Sequence, residues 1–362
     1  MTQREREILK LIEENPMISQ EELSARLGIA RSSVAVHISN LTRKGCIVGR
    51  GYVLRSGSYV VVVGGANVDI GGRSWDRLVP EDSNPGLVSL SLGGVGRNIA
   101  HNLSLLGADV RMLTAYGDDL YGQQLSAACT AAGIDMSGAL KLRDDRTSTY
   151  LYITGPDGDM ALAVSDMTIC ERITPEYLSS HLTLLQNARA VVCDANIPAQ
   201  SLQYLAENCT APLFCDPVST IKAAKLRPIL GRIHTLKPNR MEAELLSGIP
   251  IRDERDVEMA AEKLLSMGLR RVFISLGSDG MYAATCQESC WMDNLPCRMV
   301  NTTGCGDSSM AALVWAALEG LSLTDSVRAA LAAGSITIES PETISPNMSA
   351  EELRSRMGIS AK

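Results

Sequence analysis

NTTGCGDSSMAALVWAALEG, residues 301–320, sets small residues and one aspartate directly ahead of a long apolar run. Gly304 and Gly306 free the chain to turn sharply, and a helix is expected to start near Asp307. The unpaired N–H groups of its first turn, with the positive end of its dipole, point back into that turn. Such a turn suits a phosphate. It also suits an ordinary aspartate N-cap, which accounts for Asp307 but not for the two glycines flanking Cys305.

The rest of the chain narrows the class. Its 362 residues, 45% hydrophobic and 21% charged, suffice for a large core and a second small domain. No run of about 18 apolar residues occurs, and the opening MTQREREILK is charged where a secretory leader needs an apolar stretch. The expectation is a soluble cytoplasmic protein with no membrane partner. The ten cysteines form no CxxC pair and the four histidines are scattered, which favours reduced thiols over a metal site or disulfides.

Charge divides the chain. Residues 1–58 hold nine Lys/Arg and six Asp/Glu, while the remainder holds 25 and 35, so a basic head precedes an acidic body. In the head, Ile8, Leu11 and Ile12 mark one amphipathic helix, Ser19 and Glu22 a capping box for a second, and Val34, Ile38 and Leu41 the buried stripe of a third. Gly28 lies in the turn between helices two and three, and CIVGRGYVLR (46–55) reads as a hairpin with a Gly-Arg-Gly tip. Residues 1–55 resemble a winged helix-turn-helix, in which the third helix enters the major groove of duplex DNA and the wing touches its backbone. The face it would present carries Arg31, Ser32, Ser33, His37, Asn40 and Arg43, with Arg50 on the wing. The same three helices would also serve a module for protein contacts alone.

A short polar linker, 56–58, leads into the larger domain, 59–362. YVVVVGGANVDI reads as a buried strand running into a glycine-rich turn, and apolar runs at 109–114, 189–194, 212–216, 233–236 and 271–276 alternate with helical segments. This is an α/β layout with a mostly parallel sheet. Two stretches break the alternation, near 84–92 and 147–164, the second reading as an antiparallel hairpin; together they are expected to form a lid on one sheet edge. Ligands of such sheets bind at the carboxyl ends of the strands.

Four loops there carry candidate chemistry. GGVGRNIAHNLSLLG (93–107) opens a helix with three glycines and places Asn98 in its first turn, suiting close contact with a polyhydroxylated ligand; Asp69 can accept bonds from vicinal hydroxyls. KPNRMEAE (237–244) puts Asn239 and Glu242 on one face of a helical turn, fitting a hydrated Mg²⁺ or a simple cap. SLGSDG (275–280) closes a strand with a turn that can pass beneath a nucleotide.

Taken in order these loops resemble the PfkB family of ribokinase-like carbohydrate and nucleoside kinases, across roughly 58–345. The first family signature is represented by Gly93, Gly94, Gly96, Asn98, Ala100, Gly107 and Gly117, and the second, D-T-x-G-A-G-D, stands as N-T-T-G-C-G-D ending on Asp307. DSNPG (82–86) and HTLKPNR (234–240) are most similar to members that phosphorylate pseudouridine. The resemblance implies a three-layer sandwich with a small β lid, and transfer of the γ-phosphate of ATP to the 5′-hydroxyl of a nucleoside, with ribose or another sugar as the alternative acceptor. It makes Asp307 the general base and Gly304, Cys305 and Gly306 the anion hole. Asp69, Gly94 and Asn98 would bind the substrate, Ser275, Gly277 and Gly280 the ATP, and Asn239 and Glu242 the Mg²⁺, partly through water. No G-x-x-x-x-G-K-[ST] occurs, so the chain is not a P-loop enzyme. Asn301 replaces a frequently acidic residue, which weakens any inference of a monovalent-cation site; Cys305 replaces alanine, leaving the amides intact but adding a thiol open to oxidation. Relatives often form homodimers through the lid. A ligand-sensing transcription regulator with a kinase-like domain is the other class, though a sensor would have been free to lose Asp307.

Overall fold

Three N-terminal helices form where apolar residues recur at helical spacing and hydroxyl or acidic side chains cap the starts. Gln3–Glu14 and Gln20–Leu27 each begin with a capping box, Thr2 with Glu5 and Ser19 with Glu22. Gly28, at φ 64°, ends the second helix in the left-handed conformation and leads into Arg31–Arg43. Ile8, Ile12, Leu23, Val34, Ile38 and Leu41 meet in one small core. The computed structural model describes residues 1–15, 18–47 and 59–359. Hence the hairpin tip with Arg50 and the 56–58 linker lie outside the described residues.

The chain divides into two compact units, Met1–Ser58 and Tyr59–Lys362. The second is built on Tyr59–Val63, whose five residues are all buried. Val61 and Val63 pack into one core and Val60 and Val62 into the other, as alternate residues of a strand covered on both faces must. The nine-stranded sheet runs in the order Ser289–Met292, Met281–Thr285, Arg271–Ser275, Thr235–Leu236, Leu213–Asp216, Ala190–Asp194, Tyr59–Val63, Asp109–Leu113, Ile134–Asp135. Met281–Thr285 is antiparallel to both its neighbours, and all other pairings are parallel. Helices cover both faces, giving three layers. The five apolar runs read as strands are all in this sheet; the terminal antiparallel pair was not foreseen. Because the domain starts inside the sheet, third from one edge, goes to that edge and then returns past Tyr59–Val63 to build the other side, a crevice opens at the carboxyl end between Tyr59–Val63 and Ala190–Asp194.

A second sheet of four strands, Gly86–Gly93, Asn67–Ser74, Thr149–Thr154 and Met160–Asp166, forms the lid. The last two strands are an antiparallel hairpin. The sequence reading missed Asn67–Ser74: the chain turns only at Gly64–Ala66 and then enters this strand. Among the described residues no helix is long and apolar enough to cross a membrane.

Candidate active site

The helix at 305 starts two residues earlier than expected. Gly304, at φ 83°, is its N-cap, and a side chain there would collide with the carbonyl of Thr343. Asp307 therefore does not cap the helix Cys305–Glu319 but stands in its first turn. Its Oδ2 accepts a 2.8 Å hydrogen bond from Asn98 Nδ2, so the two signatures, 209 residues apart, meet side chain to side chain. Burial and the nearby Asp216 push the Asp307 carboxyl up to about 7, against the pull of Asn98 and Lys237.

Asn98 lies in Val95–Leu105, whose N-cap Gly94 has φ 97°. A Cβ on Gly94 would lie 2.6 Å from the backbone of Gly65 and Ala66, so only glycine lets the two turns touch. Asp194, at the end of its strand, accepts from Gly65 N at 2.9 Å and Gly96 N at 2.7 Å and so clamps both glycine turns. Arg97, buried, donates from Nη1 to Leu92 O at 2.8 Å and to Asn98 Oδ1 at 3.2 Å. With its oxygen engaged there, the Asn98 amide turns its Nδ2 to Asp307. Asp69 belongs to the lid strand Asn67–Ser74; Asn67 Nδ2 donates to its Oδ1 at 2.6 Å, and burial raises its carboxyl above the usual range.

On the other side of the helix N-terminus a cavity of about 630 Å³ is bounded by Lys237, Asn239, Ser275, Gly277, Gly280, Cys305 and Gly306 among others. Its volume suits a nucleotide. Ser275 ends its strand and its N–H donates to Pro238 O at 3.0 Å, joining the two loops. Met281, Leu295, Leu331 and Ile338 supply an apolar wall. Cys305 does not face this space as a thiolate: burial pushes its thiol up to about 11, and Sγ sits 3.7 Å from Gly334 O. Burial thus works against the thiolate that ready oxidation of Cys305 would need.

Asn239 and Glu242 form a capping box for Arg240–Ser247: Asn239 Oδ1 accepts from Glu242 N, and Glu242 Oε2 from Asn239 N, both at 2.9 Å. Glu242 is buried, which raises its carboxyl. Among the described residues no group of three or more His, Cys, Asp or Glu is placed to hold a metal ion. The remaining polar atoms of the pair fit a hydrated Mg²⁺ arriving with phosphates, which keeps most of its waters, rather than a cage of protein ligands. Asn301, the residue that departs from the family pattern, ties the turn: its Nδ2 donates to Pro341 O and its Oδ1 accepts from Thr303 N.

Four site residues escaped the sequence reading. Lys237, buried, places Nζ 3.4 Å from Asp216 Oδ2 and beside Gly306, so a cation lies at the glycine turn. Asp216, Asp194 and Arg97 are the others. A signal existed for two of them: CD ends both VVCD and LFCD, adjacent strands that pair Asp194 with Asp216.

In the N-terminal unit, Arg31, Ser32, Ser33 and Arg43 are exposed on the third helix, while His37 and Asn40 are half-buried. Lys44, just past the third helix, is engaged within the unit: Nζ donates to both oxygens of Glu5 at 2.8 Å.

A carboxylate, a glycine anion turn and a cation at the open end of a three-layer α/β sandwich define a phosphotransferase acting on an alcohol. Residues 58–350 match the pfkB family of carbohydrate kinases, and the chain belongs to that family. Residues 1–48 match a winged helix-turn-helix DNA-binding domain. The uncharacterized sugar kinase YeiI of Escherichia coli K12 is 40% identical over 355 residues, 97% of this chain and 98% of that protein. Pseudouridine kinase of the same organism is 40% identical over 298 residues, 82% of this chain and 95% of that protein. A solved carbohydrate kinase from Agrobacterium tumefaciens superposes with a TM-score of 0.74 at 30% identity, covering 83% of this chain and 97% of its own. The fold is ribokinase-like.

Proposed function

We propose that this kinase transfers the γ-phosphoryl group of ATP to the 5′-hydroxyl of a nucleoside, pseudouridine foremost. The observation that carries the reading is the Asn98–Asp307 bond, which joins a hydroxyl-binding loop to a carboxylate raised toward neutrality beside an anion turn. Asp69, Gly94 and Asn98 hold the acceptor's hydroxyls, and Asp307 takes the proton as transfer proceeds. The N–H groups of Cys305 and Gly306, with Lys237, receive the charge of the moving phosphoryl; positioning and electrostatics supply most of the acceleration. Ser275, Gly277 and Gly280 line the ATP side. Mg²⁺, when bound with ATP, would neutralise phosphate charge, with Asn239 and, through water, Glu242 as its protein partners. Pseudouridine is favoured because a pseudouridine kinase is as similar over this domain as YeiI is over the whole chain. ADP release measured over a panel of nucleosides, ribose and hexoses tests the acceptor. A sugar with the highest kcat/KM would overturn the nucleoside and leave the kinase standing.

Two partners complete the reading. Duplex DNA binds the third helix of the head through Arg31, Ser32, Ser33, His37, Asn40 and Arg43, and the wing through Arg50. A second copy of the chain covers the outer face of the lid, where Val88, Leu90, Leu162 and Val164 are each more than half exposed.

A further inference from the structure

The lid sheet has two chemically different faces, and register assigns them. In Asn67–Ser74, Ile70 pairs with Leu90 and Leu151, and Leu151 pairs with Val164; this face is apolar. The opposite face carries Asp69, which pairs with Ser91 and Tyr150, then Gly71, which pairs with Ser89 and Tyr152. Side chains of directly paired residues lie about 5 Å apart on one face of a sheet. Asp69 faces the active site: its carboxylate lies against Gly93, where a Cβ would collide with Oδ2, next to the Gly94 cap of the helix whose Asn98 donates to Asp307. Tyr150 and Tyr152 therefore stand beside Asp69 on the inner face. Their ring centroids are 5.8 Å apart, with planes inclined by 35°. Tyr152 lies across Gly71, where a Cβ would come within 2.6 Å of its Oη, so the strand is bare where the ring passes over it. Both rings are half-buried, and neither belongs to the hydrophobic cores of the sandwich.

A pentose needs hydroxyl partners such as Asp69; it does not need two aromatic rings one strand beyond. A planar base on the far side of the ribose does. We propose that Tyr150 and Tyr152 form a stacking platform for the nucleobase and are the residues by which the site prefers a nucleoside to a free sugar. This rests on the nucleoside reading above and adds the group that enforces it. Base–aromatic stacking tolerates any base because every base has a π face, so the platform selects nucleosides as a class.

The test measures kcat/KM for pseudouridine, uridine and D-ribose with the full-length protein and its Tyr150→Leu, Tyr152→Leu, Tyr150→Phe and Tyr152→Phe variants. Leucine variants should lose about 10- to 100-fold on both nucleosides, with ribose changed less than about threefold, and phenylalanine variants should stay within about threefold of the parent. Unchanged ribose turnover and KM for ATP show that the leucine variants are folded. An equal loss on ribose and nucleosides makes the rings a sugar platform or a structural support and overturns the proposal; so does a phenylalanine variant as impaired as leucine, which would mean that the hydroxyl acts. If the parent enzyme prefers ribose, the nucleoside reading itself fails, an outcome separate from either of these.

Discussion

Asp307→Asn separates catalysis from stability. The variant keeps the shape of the side chain and an oxygen to accept from Asn98, so the geometry at 2.8 Å is preserved while the proton acceptor is lost. Turnover should fall by at least about 10²-fold with ATP binding nearly unchanged. Stability should move the other way. The carboxyl has an ordinary value of 3.8 and stands near 7 in the fold, chiefly through burial. A folded value above the unfolded one means that the ionised form disfavours the folded state, fully above about pH 7 and not at all below the unfolded value. The whole shift would correspond to roughly 4 kcal/mol; the side chain is only partly shielded from water, so about 1–2 kcal/mol is the reasonable expectation. Asp307→Asn should therefore unfold at higher temperature than the parent at pH 8.5, and the gap should narrow as pH falls toward 5. The same raised value gives the parent an acid limb in kcat/KM: about a tenth of the enzyme is in the base form at pH 6 and about nine-tenths at pH 8. Near-normal turnover in the variant would remove Asp307 from the role of base. A melting gap that is absent or independent of pH would refute the claim that the carboxylate is held under electrostatic stress.

Lys237→Met removes the cation at the anion turn and strands buried Asp216; kcat should fall about 10²- to 10³-fold and stability by about 3–5 kcal/mol, measured on protein shown to be folded by circular dichroism. Turnover within threefold of the parent would dismiss Lys237 from the phosphate site. Cys305→Ala should retain kcat within about threefold, and iodoacetamide at pH 7.5 should inactivate the parent slowly, because a thiol with a value near 11 is almost wholly protonated. Rapid inactivation that ATP prevents and the alanine variant abolishes would contradict that. Duplexes selected from a random pool should bind with a steep salt dependence whose slope drops by about one for each of Arg31→Ala and Arg43→Ala, while Lys44→Ala should act through stability instead, since that side chain holds Glu5. No enrichment of any sequence would leave the head as a protein-contact module.

What could be read from the chain follows what is local. Glycine turns, capping boxes and apolar runs are specified within one element, which is why the strands of the parallel sheet and the Ser19–Glu22 box were legible. The same locality explains the misses. Gly71 and Gly72 look like a turn in isolation, yet they are strand residues because Tyr152 and Ile153 of a neighbouring strand need the space. Asn239 and Glu242 were placed correctly on one turn, but spacing alone does not separate a metal pair from a mutual cap, and the side chains in fact bond each other's backbone. Asp307 was read as standing at the helix start, and the left-handed Gly304 moved that start by two residues.

The residues that the sequence hid are those whose meaning depends on sheet order. Asp194 and Asp216 are lone acids at the ends of two apolar runs, and nothing in either run says that the runs are neighbours. Once the strands pair in register, two carboxylates stand side by side at the mouth of the crevice, an arrangement that like charges resist. The fold resolves it by giving each a different partner: Asp194 takes the amides of Gly65, Gly96 and Asn196, and Asp216 takes the ammonium of Lys237. Asp307 is left with one neutral donor, Asn98, and with two acidic neighbours that raise it. The proposed proton acceptor is thus a carboxylate that burial and two acidic neighbours raise against the pull of Asn98 and Lys237, and Asp216→Asn, by removing the stronger of those neighbours, should shift the acid limb of kcat/KM to lower pH. A limb that stays in place or moves upward would show that burial alone sets the value of Asp307.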